Sequence, residues 1–174
     1  MLERQVLPWV LDGVDLGPNV LEVGPGPGLT TNLLRLRVDH LTAIEIDRVL
    51  ANSLGARLRD TNVSTVRGDA TSLPFRDSSF SGAASFTMLH HVPSAVLQDT
   101  LFREVRRVLK PGAVFAGVDS LQSVLMRLLH IRDILVPVDP STLEGRLAAA
   151  GFEEISVETD GRAFRFQARR PQVA

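Results

Sequence analysis

The chain of 174 residues contains no cysteine, no tyrosine and a single lysine, Lys110. Without thiols there is no disulfide, no thiolate zinc site and no cysteine nucleophile. Four histidines unaccompanied by cysteine make no metal site expected. No apolar run reaches the roughly 18 residues that a bilayer-crossing helix needs, and the N-terminus is not signal-like. The expectation is therefore a cytoplasmic protein without membrane attachment. The formal net charge is −1 and basic residues form no long run, so the composition does not advertise nucleic acid. Eighteen arginines stand against the one lysine, a bias that points to a GC-rich genome rather than to a function. No repeat or low-complexity segment interrupts the chain.

What is present fits one domain spanning residues 1–174 with one core. Apolar residues make up 44% and charged residues 22%, ordinary for a globule. Met1 to Leu11 predicts a short helix limited by Pro8, within an N-terminal segment 1–18 that ends in turn residues. Apolar strand-like runs follow at Asn19 to Val23, His40 to Ile46, Val63 to Val66, Phe80 to Thr87 and Ala113 to Val118. Between them, helical patterns cover Thr30 to Arg37, Arg48 to Arg59 behind an Asp47 cap, and a segment capped by Ser94. Lys110-Pro111-Gly112 is expected to stop that last helix. Asp139-Pro140 and Gly151 bracket another, with cap, proline at its first position and glycine stop. Strands alternating with helices imply a Rossmann-like, doubly wound α/β sheet of seven strands, mostly parallel. Phe152 to Thr159 and Arg162 to Ala168, joined by Asp160-Gly161, read instead as an antiparallel C-terminal hairpin.

The most informative stretch is Val-Leu-Glu-Val-Gly-Pro-Gly-Pro-Gly, Val20 to Gly28. A buried strand runs into glycines spaced two apart and then into a helix, a device for bringing backbone amides close to a ligand. Gly24, Gly26 and Gly28 hold no side chain against that ligand, while Pro25 and Pro27 stiffen the loop. A dinucleotide fingerprint would need its third glycine at position 29, which is Leu29, and there is no lysine for a P-loop. A carboxylate two residues before Gly-x-Gly-x-Gly resembles motif I of the class I S-adenosylmethionine-dependent methyltransferases. Motifs I and II are also similar to those of ribosomal RNA adenine dimethyltransferases. That second group needs an Asn/Asp-Pro-Pro-Tyr-like motif after strand four to hold a flipped base. Here that stretch reads Ser85-Phe-Thr-Met-Leu-His-His-Val-Pro, which argues against RNA. Gly68-Asp-Ala, Leu73-Pro-Phe, Leu89-His-His-Val and Arg107-Val-Leu-Lys-Pro-Gly instead resemble small-molecule methyltransferases of the ubiquinone-biosynthesis-like type.

The resemblance implies S-adenosyl-L-methionine as cofactor, bound by Glu22, Val23, Gly24, Pro25, Gly26, Gly28, Glu45, Ile46, Asp69, Ala70, Ser85 and Phe86. Glu45, 21 residues after Gly24, suits a carboxylate accepting from both ribose hydroxyls. An exposed acid near a helix start is the bland alternative, a role better suited to Asp47. Asp69 would accept from the adenine amine beside the Ala70 amide, or simply stabilise its loop as an Asx turn. Glu22 would order the loop and help hold the methionine ammonium.

Methyl transfer chiefly needs alignment, and a base helps where the acceptor is a hydroxyl. His90 and His91 follow strand four and are the candidate catalytic residues. Histidine ordinarily titrates near 6.5, which suits a base. His91 is the one expected to face the site; pocket shaping without proton transfer remains the alternative for both. His130 and Asp133 are the candidate substrate-binding residues, in a substrate-side region at 120–140. Leu125, Met126, Leu128 and Leu129 there are read first as helix packing, and Arg103, Arg106 and Arg107 as a solvated helix face. The function expected is methylation of a small molecule, with oxygen the favoured nucleophile, by a monomer or homodimer without nucleic-acid partners. The alternatives are a non-catalytic S-adenosylmethionine-binding protein and, behind it, an rRNA adenine N6-methyltransferase.

Overall fold

A computed structural model describes residues 7–121 and 135–172. Seven strands form one sheet in the order β3-β2-β1-β4-β5-β7-β6: β1 (Asn19–Val23), β2 (His40–Glu45), β3 (Val63–Arg67), β4 (Phe80–Phe86), β5 (Leu109–Ser120), β6 (Glu153–Thr159) and β7 (Ala163–Arg169). The pairs β1–β2, β2–β3, β1–β4 and β4–β5 are parallel, whereas β7 runs antiparallel to both β5 and β6. The expected seven-stranded sheet with a terminal hairpin is thus present. From β1 the chain steps outward to β2 and β3, then returns to β4 on β1's other side. That reversal opens a crevice beyond the carboxyl ends of β1 and β4.

Helices α1 (Leu7–Val10), α2 (Leu29–Leu34), α3 (Arg48–Arg57), α4 (Ala95–Val108) and α5 (Pro140–Ala149) surround the sheet. Alternate strand residues feed two cores. Leu21, Val23 and Phe115 pack with Leu101, Phe102 and Val105 of α4 and Leu143 and Leu147 of α5. Val20, Leu41 and Ala43 pack with Leu34 of α2 and Leu54 of α3. The caps are as the side chains suggest. Asp47 accepts from Val49 and Leu50 amides at 2.7 and 2.9 Å, Ser94 from Leu97, and Asp139 from Ser141.

Four local expectations change. Helix α2 is shorter than its apolar pattern, because Leu36 and Arg37 donate three residues back and tighten the end. Helix α4 does end before Lys110-Pro111-Gly112, at Val108, but β5 begins at Leu109 and not at Ala113, so these three residues lie within the strand. The register jumps from Phe80↔Leu109 to Gly82↔Val114, and Gly112 takes φ +79 in that irregularity. The hairpin turn sits one residue later than Asp160-Gly161. Asp160 pairs back to Ala163 through its amide at 3.0 Å, and its carboxylate accepts from the Arg162 and Ala163 amides, leaving Gly161 and Arg162 as the connecting pair.

The fourth change concerns the arginines of α4. Arg103 does lie on a solvated face, but Arg106 donates to the Gly151 carbonyl at 2.7 Å. Arg107 donates to the carbonyls of Leu73 and Phe75, to Asp77 and to Glu104. Glu104 also accepts from the Leu73 amide at 2.8 Å. The guanidinium beside it holds the Glu104 carboxyl below its ordinary value. The planar fork of Arg107 thereby fixes the segment that follows β3.

Candidate functional site

A cavity of about 650 Å³ lies in the crevice beyond β1 and β4, within the range of small-ligand sites. Its wall is drawn from the loops at the carboxyl ends of four strands. The loop after β1 gives Gly24, Pro25, Gly26 and Pro27; the end of β2 and start of α3 give Glu45, Ile46, Asp47 and Leu50.

The glycine loop is shaped by its residue types. Gly24, Gly26 and Gly28 all have positive φ, at +65, +55 and +81, a region that only glycine enters freely. Among the described residues, no atom beyond its two chain neighbours lies within 4 Å of the space that a Cβ at Gly26 would take. Glu45 ties this loop to β2. Its Oε2 accepts from the Gly26 amide and its Oε1 from the Asp47 amide, both at 2.9 Å. The residue is 6% exposed, so it is a buried anchor and not the exposed strand end that its position suggests. Each carboxylate oxygen retains capacity for a second donor.

Asp69 stands after β3, where its Oδ1 accepts from the amide and hydroxyl of Thr71 at 2.8 Å. The Asx turn is therefore real, and Asp69 with Ala70 also lines the cavity. Beyond β4 the wall continues through Phe86, Thr87, Met88, His91, Val92 and Pro93 into Leu97 and Leu101 of α4. Acidic groups thus stand over β2 and β3, and a largely apolar wall with one imidazole stands over β4.

Of the expected site residues, Gly24, Pro25, Gly26, Glu45, Ile46, Asp69, Ala70, Phe86 and His91 line this cavity. Glu22, Val23, Gly28, Ser85 and His90 do not. Glu22 and Val23 are interior strand residues, 1% and 0% exposed. Glu22 accepts from the Thr30 hydroxyl at 2.6 Å; its Oε2 is buried with no hydrogen-bond partner among the described residues. Burial pushes its carboxyl above the ordinary value, opposed by the threonine hydroxyls. Gly28 caps α2 with its Cα against Leu54 and Arg57. Ser85 is fully buried within β4. His130 and Asp133, with Leu125, Met126, Leu128 and Leu129, lie outside the described residues.

The paired histidines divide as expected from their adjacency. His91 is exposed on the cavity wall, whereas His90 is buried and its Nδ1 meets Asp119 Oδ1 at 2.5 Å. Sequence reasoning missed Asp119. It stands one residue before the end of β5, on the same carboxyl edge as the other acids, so the strand-end rule that found Glu45 and Asp69 would have found it. Thr87, Met88, Val92, Pro93, Leu50, Leu97 and Leu101 were also missed.

The donors and acceptors present fit an adenosine. Glu45 can accept from vicinal hydroxyls, Asp69 from an exocyclic amine, and the Ala70 amide can donate to a ring nitrogen. Ile46, 65% exposed at the cavity, offers an apolar face that a flat base would cover.

Residues 21–117 match a family model described as a methyltransferase domain. Sterol methyltransferase-like 3 of Botryococcus braunii is 35% identical over 117 residues, 64% of this chain and 29% of that protein. Ribosomal RNA small subunit methyltransferase A of Geobacter metallireducens is 33% identical over 106 residues, 59% of this chain and 38% of that protein. The chain spans about a third of the length of these curated relatives. A SAM-dependent methyltransferase from Aquifex aeolicus superposes with a TM-score of 0.77 at 21% identity, covering 97% of this chain and 91% of that one. Phosphoethanolamine N-methyltransferase 2 of Haemonchus contortus, solved with S-adenosylhomocysteine, gives 0.76 at 16% identity, covering 91% and 50%. Matched over more than half its length, this chain belongs to the methyltransferase-domain family, among the class I S-adenosylmethionine-dependent methyltransferases.

Proposed function

We propose that this domain transfers the methyl group of S-adenosylmethionine to a small-molecule acceptor, with a hydroxyl oxygen as the favoured nucleophile. The observation that carries the reading is the convergence of Glu45, the open face of Gly26, and Asp69 with Ala70 on one cavity. When bound, S-adenosylmethionine supplies an electrophilic methyl on a sulfonium, with a neutral thioether to leave. The chain's own work is then placement. Glu45 holds the ribose end, Asp69 and the Ala70 amide read the base, and Gly24 and Gly26 allow close approach of the backbone. Positioning of this kind supplies ~7–11 kcal/mol of a barrier.

In this reading His91, which lines the cavity beyond β4, takes a proton from the acceptor hydroxyl. Thr87 and Met88 stand where an RNA adenine methyltransferase carries its Asn/Asp-Pro-Pro-Tyr-like motif, which disfavours a flipped base despite the ribosomal RNA relative. We read the site as that of a cytoplasmic enzyme acting on small molecules.

The test is transfer from methyl-labelled S-adenosylmethionine across a panel of phenols, catechols, hydroxy acids, amines and an rRNA hairpin. Labelling of a hydroxylated small molecule is expected. Labelling of the hairpin alone would overturn the reading. Binding of S-adenosylhomocysteine without any transfer would favour a cofactor-binding protein that does not catalyse.

A further inference from the structure

The turn that carries His91 is held more elaborately than its size requires. Leu89–His91 is a single 3₁₀ turn, closed by its own bonds from the His91 amide to Met88 and from the Val92 amide to Leu89. Behind it, three donors converge on one buried carboxylate. Asp119 accepts from His90 Nδ1 at 2.5 Å, from the His90 amide at 3.1 Å and from the Ser120 amide at 2.7 Å. His90 and Asp119 are 4% and 1% exposed. The buried Gln98 donates to the carbonyls of Leu89 and Val136 at 3.0 and 2.9 Å, and the Val136 amide donates to the His90 carbonyl at 2.8 Å.

Burying a carboxylate and an imidazole together is a poor way to gain stability, because desolvation cancels most of the attraction. What such a pair does well is fix one geometry. An ionised carboxylate only accepts, so with Asp119 ionised His90 Nδ1 is the donor in this contact. That bond fixes the orientation of the His90 ring. The His91 ring centroid lies 4.2 Å from it, tilted by 43°. Five of the cavity-lining residues, Thr87, Met88, His91, Val92 and Pro93, come from this one segment.

We propose that Asp119 and His90 are positioning residues: their buried contact locks the Leu89–His91 turn and holds the His91 imidazole at the cavity wall for the acceptor. The proposal rests on the reading of His91 as the acceptor-facing base. Glu45, Gly26 and Asp69 belong to other strand ends, so the pair governs turnover and not cofactor affinity.

The test compares the whole chain with Asp119→Ala, Asp119→Asn, His90→Ala and His90→Asn. An asparagine at 90 can still donate to Asp119 from a position close to that of Nδ1. Three quantities are read: S-adenosylhomocysteine affinity by calorimetry, turnover on the acceptor found in the panel, and the His91 ring resonances in histidine-labelled protein. For folded Asp119→Ala and His90→Ala we expect the His91 resonances to shift and broaden. Turnover should fall by up to about 10²-fold, the cost of ångström-scale misplacement, with cofactor affinity unchanged. His90→Asn should restore much of both, and Asp119→Asn serves if the alanine variants fail to fold. Unmoved His91 resonances in a folded variant would overturn the proposal, as would failure of His90→Asn to rescue. If His91→Ala keeps parental turnover, the base reading fails, and the resonances still decide whether the pair places the ring.

Discussion

Replacing Glu45 by alanine should damage both the fold and the cofactor site, and the structure fixes how much of each. The parent carboxylate accepts from the Gly26 and Asp47 amides at 2.9 Å, in a residue 6% exposed. Hydrogen bonds to charged groups contribute ~1.5–3 kcal/mol. Water can reach the Asp47 amide at the start of α3 more readily than the Gly26 amide beneath the loop. The fold should therefore lose about one such bond, ~1.5–3 kcal/mol, lowering Tm by roughly 3–12 °C for a chain of this size. The ribose contacts add a similar loss to binding, weakening S-adenosylhomocysteine by about 10- to 150-fold. Differential scanning calorimetry and titration calorimetry on the same preparations read the two effects separately. A folded Glu45→Ala variant that binds S-adenosylhomocysteine like the parent would refute the reasoning, because the strand-two carboxylate would then lie off the ligand.

Gly26→Val places a β-branched residue at φ +55, a strain of ~1–3 kcal/mol, while among the described residues its Cβ meets no atom beyond its chain neighbours. Circular dichroism should remain that of a folded protein and calorimetry should show no cofactor binding; retained affinity would put the loop away from the ligand. Glu22→Gln tests the buried acid. Burial raises the folded-state carboxyl above its ordinary 4.5, so the folded protein holds the proton longer than the unfolded chain does. Stability should fall as pH rises from about 4.5 through the raised value, by ~1.4 kcal/mol per unit of displacement. The glutamine variant should show no such fall in urea unfolding and be the more stable form above that window. Parallel curves for the two proteins would show that Glu22 carries no such cost. His91→Ala should lower turnover by ~10²-fold or more and abolish the rise of rate with pH as the imidazole loses its proton. An unchanged rate and pH profile would leave alignment alone as the mechanism.

The chemistry-bearing edge of the sheet was legible because its signals are local. Glycine spacing marked the loop after β1, and Asp47, Ser94 and Asp139 marked helix starts by their own side-chain bonds to nearby amides. The expectation that only one of two adjacent histidines faces the site separated His91 on the cavity wall from the buried His90, although their rings lie 4.2 Å apart. Features that depend on distant partners were not legible. Arg107 reads as surface from α4 alone, yet its fork closes on Leu73, Phe75 and Asp77 some 30 residues earlier. Asp119 pairs with a histidine 29 residues before it. The burial of Glu45 follows from the glycine loop folding over it, which no pattern within β2 records. Lys110-Pro111-Gly112 marked the end of α4 correctly, but local rules cannot see that the register break against β4 lets β5 begin at Leu109, ahead of Ala113.

The most direct test sets S-adenosylhomocysteine and NAD side by side in titration calorimetry against the unmodified chain. The glycine spacing, Glu45 and Asp69 predict binding of S-adenosylhomocysteine and no response to NAD. Tight binding of NAD with no heat from S-adenosylhomocysteine would contradict the assignment of this cavity.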